Sequence, residues 1–188
     1  DTAATASVSG LAEAGATGIL LSGWVPNAEV TNTGTIMASA VTANGHDAGG
    51  SRAGGIRVDG YYYDETNPKD LLTITNTGGT IIARTSDDKG ATWQWGDAIN
   101  TVYAGSKVAI NLNGGANGGV GTIYGNINVQ YGDVITVANG ETQLNGVINA
   151  QDWAVVADNA VPSIGGPGAL TIVKGGTLYL RDNPEGTF

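Results

Sequence analysis

The chain of 188 residues is long enough for one substantial domain, and its 41% hydrophobic content can supply a packed core. A net charge of −9, from 8 Lys+Arg against 17 Asp+Glu, excludes nucleic acid and anionic membranes as favoured partners, because both repel an acidic surface. The absence of cysteine excludes disulfides, thiolate metal sites and cysteine nucleophiles together.

Glycine, at 31 residues, is more than twice as frequent as in average chains, without the every-third-residue period of collagen. Short apolar runs interrupt it, so the chain should fold with many tight turns. No run approaches the roughly 18 apolar residues of a membrane span, so no membrane insertion is expected. Asp1 in place of Met is compatible with a processed, exported chain.

In chain order, Leu11 to Leu21 has a weak helical pattern that Gly15 and Gly18 spoil. Val30 to Ile36, V-T-N-T-G-T-I, reads as strand, corner, strand. The sole histidine, His46, shares one Gly-rich loop with Asp47 and Ser51, so a triad converging from separate segments is not expected. Gly54 to Val58 is a strand. Tyr61, Tyr62 and Tyr63 then open an inserted loop that carries Asp64 and Glu65. Ile74 to Ile81, I-T-N-T-G-G-T-I, repeats the earlier phrase 44 positions on. Asp87 and Asp88 offer oxygen ligands for a calcium ion, and Trp93 and Trp95 fall on one face of a strand. Gly114 to Gly121 is glycine-rich but lacks the Lys-Ser/Thr ending of a phosphate loop, and reads as a flexible corner. Val108 to Leu112, Val134 to Val137 and Ala169 to Leu180 are further strands. No cofactor or metal is expected. Carboxylates do not align above one another, the closest spacing being Asp88 with Asp133; Asp152 and Asp158 find no partner.

Two offsets recur. Ile56 maps onto Ile99 after 43 residues, while Ile123 to Asn128 maps onto Leu144 to Asn149 after 21, and Val134 to Val137 onto Val155 to Asp158. A fixed period in this range marks a repeat architecture. The 44-residue unit reads as two turns of about 22 residues, with double-coil repeats near 18–60 and 61–104 and single coils over 105–188. The expectation is a single all-β domain: a right-handed parallel β-helix of about 22 residues per coil and roughly eight or nine coils, ~40 Å long at about 4.8 Å per stacked strand. Asn and Gly are assigned to left-handed corner positions, with Asn over Asn or Thr over Thr exchanging side-chain hydrogen bonds.

The phrases Val30 to Ile36, Gly54 to Val58, Ile74 to Ile81 and Ala169 to Leu180 resemble those of β-helical passenger domains of bacterial autotransporters and related large surface adhesins. The likeness covers about two thirds of the chain. It implies an extracellular, cell-surface, non-enzymatic protein: a rod, an adhesin stalk or a self-stacking filament subunit. Neither terminus carries an amphipathic capping helix, so the expectation is either a segment of a longer rod or end-to-end stacking into a homo-oligomer or filament. The competing expectation is a protein that binds or cleaves surface carbohydrate through Tyr61, Tyr62, Tyr63, Trp93 and Trp95; an enzyme would need carboxylates and a basic residue converging beside those rings.

Overall fold

The computed structural model describes residues 2–6, 14–24, 28–42, 51–62, 72–104, 107–150 and 169–181. Among them are seventeen strands and no α-helix. In chain order these are β1 (Thr2–Ala6), β2 (Ala14–Trp24), β3 (Glu29–Asn32), β4 (Thr35–Thr42), β5 (Ser51–Tyr62), β6 (Leu72–Thr77), β7 (Thr80–Ser86), β8 (Gln94–Trp95) and β9 (Asp97–Tyr103). They continue with β10 (Val108–Asn113), β11 (Gly121–Tyr124), β12 (Asn126–Val129), β13 (Val134–Val137), β14 (Gly140–Asn145), β15 (Ile148–Ala150), β16 (Ala169–Ile172) and β17 (Gly176–Arg181).

The strands form three parallel sheets. The first runs β1-β4-β7-β11-β14-β17, the second β15-β12-β9-β5-β2, the third β16-β13-β10-β6-β3. The chain visits second, third and first sheets in unvarying order. The one antiparallel pairing among the described residues is β8 on β7.

Strand sequence explains this placement. β6 (L-T-I-T-N-T) and β10 (V-A-I-N-L-N) alternate buried and half-buried positions residue by residue, as a pleated strand with one face in a core must. All three sheets turn their apolar face into one shared cluster. Stacking in register converts that face into columns: Ile36, Ile81, Ile123, Leu144 and Leu180 in the first sheet, Ile19, Ile56, Ile99, Ile127 and Ile148 in the second. Val30, Ile74, Ile110, Ile135 and Leu170 form the third. Each fully buried member contributes about 1.5–3 kcal/mol of apolar transfer.

The repeated phrase sits on adjacent strands. Val30 faces Ile74 and Asn32 faces Asn76 across β3 and β6. The 44-residue unit is therefore one circuit of the three sheets, and its reading as two turns of about 22 is corrected. Only the late circuits are that short: Ile123 pairs Leu144 and Asn128 pairs Asn149, both 21 on. Val134 to Val137 pair with Ala169 to Ile172, 35 residues on, while Val155 to Asp158, the expected match, lie outside the described residues. The cause is connection length. Early circuits contain β5, of 12 residues, and long links between strands, whereas β11 and β12, of 4 residues each, are joined through Gly125 alone. Gly125 has φ of +131°, and the backbone there runs against the Gly96 carbonyl, so no side chain fits the corner. The first sheet is six parallel strands deep, roughly 24 Å at about 4.8 Å per step, shorter than the ~40 Å expected.

The asparagines of the phrase do not occupy left-handed corners; Gly78, with φ of +63°, does. Asn32 and Asn76 point inward instead, 6% and 0% exposed. Asn32 Nδ2 donates to Asn76 Oδ1 at 2.7 Å, and Asn76 Nδ2 donates to the Gly79 carbonyl at 2.9 Å. Asn32 Oδ1 accepts from Gly34 N–H at 3.2 Å. The pair thus satisfies backbone groups that the turn from third to first sheet leaves over. At the next strand the same register position holds Leu112, where the column becomes apolar.

Asn76→Ala removes two buried amide hydrogen bonds, leaving Asn32 Nδ2 only the longer one to the Thr80 carbonyl at 3.3 Å and the Gly79 carbonyl only Thr122 N–H, and is expected to cost about 1–3 kcal/mol. Asn111→Ala, a half-buried change on the outer face of β10, should stay within about 0.5 kcal/mol of the parent. Urea midpoints of the two variants, compared with the parent, check both figures.

Candidate functional site

Chemistry-bearing side chains converge at one place on the described surface, where the outer face of the second sheet meets the hairpin formed by residues 86–95. After β7 the chain turns out through S-D-D-K-G-A-T and returns as β8, placing Trp95 opposite Arg84 and Gln94 opposite Thr85. Serine and threonine hydroxyls fold this turn on itself. Asp88 Oδ1 accepts from Ser86 Oγ at 2.7 Å and Thr92 N–H at 2.8 Å, while Asp88 Oδ2 accepts from Thr92 Oγ1 at 2.6 Å. These bonds, the Thr92 hydroxyl foremost, hold the Asp88 carboxyl down at about 2. Asp87 accepts from Thr42 Oγ1 at 3.1 Å. Both carboxylates tie the loop down, and among the described residues no three His, Asp or Glu side chains group to hold a metal.

Trp93 and Trp95 lean on the outer side of the first sheet. The Arg84 guanidinium lies over the Trp93 ring at 4.1 Å, and Trp95 packs on Tyr124 with ring centroids 5.4 Å apart and planes at 33°. Trp93 lies just before β8 rather than within it. Tyr61 and Tyr62 end β5, opposite Gly23 and Trp24; their side chains, and the whole of Tyr63, lie outside the described residues. So do His46, Asp64, Glu65, Asp152 and Asp158. Gly114 to Val120 link β10 to β11, which begins at Gly121, with a single 3-10 turn, Ala116–Gly118, bearing two left-handed residues, Asn117 and Gly118. The link is a corner.

Beside the hairpin lies a groove of about 620 Å³. Its floor is built from small residues of neighbouring strands, among them Gly15, Ala16 and Thr17 of β2 and Ala53 and Gly54 of β5. Trp95 and Gln94 wall one side; Arg57, Asn100 and Tyr103 wall the other, with Asp97 between. Arg57 Nη2 pairs with Asp59 Oδ2 at 2.9 Å and the guanidinium reaches over the Tyr103 ring at 5.7 Å. Asn100 is oriented by donating to Asp97 Oδ2 at 2.9 Å and accepting from Val102 N–H at 3.1 Å. A second cavity of about 390 Å³ shares Asp97, Asn100 and Tyr103 and continues to Asn128 and Asn149. The two form one trough across the strands of the second sheet.

Of the two sequence-nominated tryptophans, Trp95 lines this groove and Trp93 does not. Arg57, Asp97, Asn100, Tyr103, Asn128 and Asn149 were not nominated. The 43-residue offset already superposes Arg57 on Asn100, and the 21-residue offset superposes Asn128 on Asn149. The link between those pairs, Asn100 to Asn128, spans 28 residues with a register shift, and no sequence period shows it.

Asp133 is a buried carboxylate, 1% exposed, in the turn between β12 and β13. It is remote in register from Asp88, which lies between β7 and β8. Its Oδ1 accepts from Val108 N–H at 2.8 Å; its Oδ2 accepts from Gln130 N–H at 3.0 Å and from the Thr101 hydroxyl. Burial pushes its carboxyl up to about 6 against those bonds. Thr101 Oγ1 also lies 3.2 Å from the Asn128 carbonyl, so the hydroxyl can turn there when Asp133 is protonated. Its partners, Thr101 of β9, Val108 at the start of β10 and Gln130 of its own turn, come from two successive circuits, and the role is to pin them.

Because the folded carboxyl titrates higher than the unfolded one, near 3.8, folding favours the protonated form. The stabilisation is full below about 3.8 and is lost as pH rises through about 6. Lowering the pH from 7 to 4 should raise the unfolding free energy by up to about 3 kcal/mol from this group. Asp88, depressed to about 2, acts with the opposite sign only at lower pH. Urea titrations from pH 4 to 7 on the parent and on Asp133→Asn check this. The variant is expected to be less stable throughout but to lack the slope, and parallel profiles would contradict the assignment. Comparison with protein-family models, curated proteins and solved structures found no match to this chain.

Proposed function

We propose that the chain is a right-handed parallel β-helix whose work is mechanical: a non-enzymatic, extracellular rod segment of a bacterial cell surface, able to stack end to end. The observation that carries this is the set of three apolar columns, each continuous through five strands, together with their exposed end. In the interior the columns are fully buried. At the final circuit Leu180 is 67% and Leu170 40% exposed, although their counterparts Leu144 and Ile135 are at 0% and 2%. Among the described residues β15, β16 and β17 each pair on one side only, so this end offers another circuit of the same spacing a stack of apolar side chains and a strand edge. A second copy of this chain supplies both, in a head-to-tail contact that does not close.

The absence of cysteine fits the reading, since ladders of backbone and amide hydrogen bonds take over the role of disulfide staples in such a rod. So does the placement of Asp88 and Asp133 in separate turns, each spent on local backbone and hydroxyl donors, so that these two do not form an acid and base pair.

Electron micrographs and light scattering at rising protein concentration test the stacking. The parent is expected to lengthen into thin rods. Leu180→Lys, which places a charge on the exposed end, should stay a single unit with an unchanged melting temperature. Parent particles that remain monodisperse at every concentration would end the stacking proposal.

A further inference from the structure

We infer that the trough on the second sheet is a binding site for an extended, uncharged carbohydrate chain lying across the strands. Two glycines point to a ligand. Gly15 and Gly54 have no left-handed backbone, and a Cβ added at Gly54 would meet nothing closer than 4.0 Å, at Gly15 nothing within 4 Å. Neither packing nor backbone geometry asks for glycine there, and glycine within a strand weakens it. A side chain at either position would stand in the groove, so the floor is kept bare. By contrast, Gly96 on the same floor is set by packing, since a Cβ there would strike the Ala53 backbone.

The walls select the ligand. Gln94, Asn100, Asn128 and Asn149 present amides, and Thr17 and Thr85 hydroxyls, groups that both donate and accept and so match the hydroxyls of a sugar. Trp95 and Tyr103, the latter 60% exposed, line the groove with aromatic surface for the apolar side of a pyranose. Charge is balanced: Arg52 and Arg57 face Asp97 and Asp59, in a protein of net charge −9, which disfavours an acidic polymer. A peptide strand is disfavoured as well, because this is a sheet face whose backbone bonds are already spent between strands. Length favours a polymer: from β2 to β15 the outer row Leu20, Arg57, Asn100, Asn128, Asn149 covers four strand steps, roughly 19 Å. The inference does not depend on end-to-end stacking.

The test is a neutral-glycan array followed by calorimetric titration of the strongest neutral hit, at chain lengths of two to six sugars, with an oligogalacturonate as the acidic comparison. A neutral oligosaccharide is expected to bind with micromolar to millimolar Kd, more tightly as it lengthens. Gly54→Leu should weaken it at least tenfold while keeping the parental melting temperature, because its side chain enters the groove and not the core. Asn149→Ala, exposed at the far end, should weaken the hexamer several-fold and leave the dimer unchanged; it decides the matter if Gly54→Leu fails to fold. Silence across the neutral array, binding of the acidic oligomer alone, or affinity untouched by either change would overturn the assignment.

Discussion

Parallel stacking in register governs this molecule: the residue above and below any strand position is that position's counterpart on the next circuit. Such a constraint rewards side chains that pair well with themselves. Isoleucine does so by packing, and the columns through Ile81, Ile99 and Ile110 follow. Asparagine does so because one amide both donates and accepts, and the 2.7 Å bond from Asn32 to Asn76 uses that symmetry. Carboxylates and guanidinium groups repel their copies at strand spacing. Accordingly Asp97 stands over Gly54 and beside Asn126, Arg57 over Asn100, and Asp59 over Tyr103. With charges at 13% of the chain, isolated placement is achievable throughout the strands.

Circuits differ in length because register constrains only the strands. Links between them are free to grow, and the 86–95 hairpin shows what a grown link can do. It leaves β7 after β11 has stopped pairing at Ile82, takes up the backbone edge at Arg84 and Thr85, and lays its two tryptophans over Arg84 and Tyr124. An insertion has thereby become both a cover for one sheet and a wall for the trough on the next.

Much of the strand grammar was legible in the sequence, because a strand of a core sheet alternates and each corner needs glycine or asparagine. The twin phrases, the match of Ile56 to Ile99 and the match of Ile123 to Leu144 all turned out to be neighbours in space. The circuit length was not legible. An offset of 44 is compatible with one long circuit or two short ones, and the direct pairing of β3 with β6, which sets Asn32 against Asn76, separates them. Nor was the inward orientation of those asparagines legible, since residues of a corner and of a buried ladder share one composition. The trough stayed hidden for a related reason: it combines Trp95 of an insertion with Asn100, Asn128 and Asn149 from circuits of unequal length, and unequal length erases periodicity.

The three outer faces are not equivalent, which bears on what each does. The third sheet shows a plain row of Thr31, Thr75, Asn111, Thr136 and Thr171, the repetition that solubility and strand propensity alone would give. The first is partly covered by the hairpin. Only the second combines bare glycine, aromatic walls and a graded row from Arg57 to Asn149. A rod needs none of that variety, so the second face carries a demand separate from stiffness. Yet the two demands share one cause: the register that stacks Ile56, Ile99 and Ile127 inside also aligns Arg57, Asn100 and Asn128 outside. A chain bound along that row would touch every circuit at once and favour only the registered state, so its binding energy would add to the cohesion of the stack.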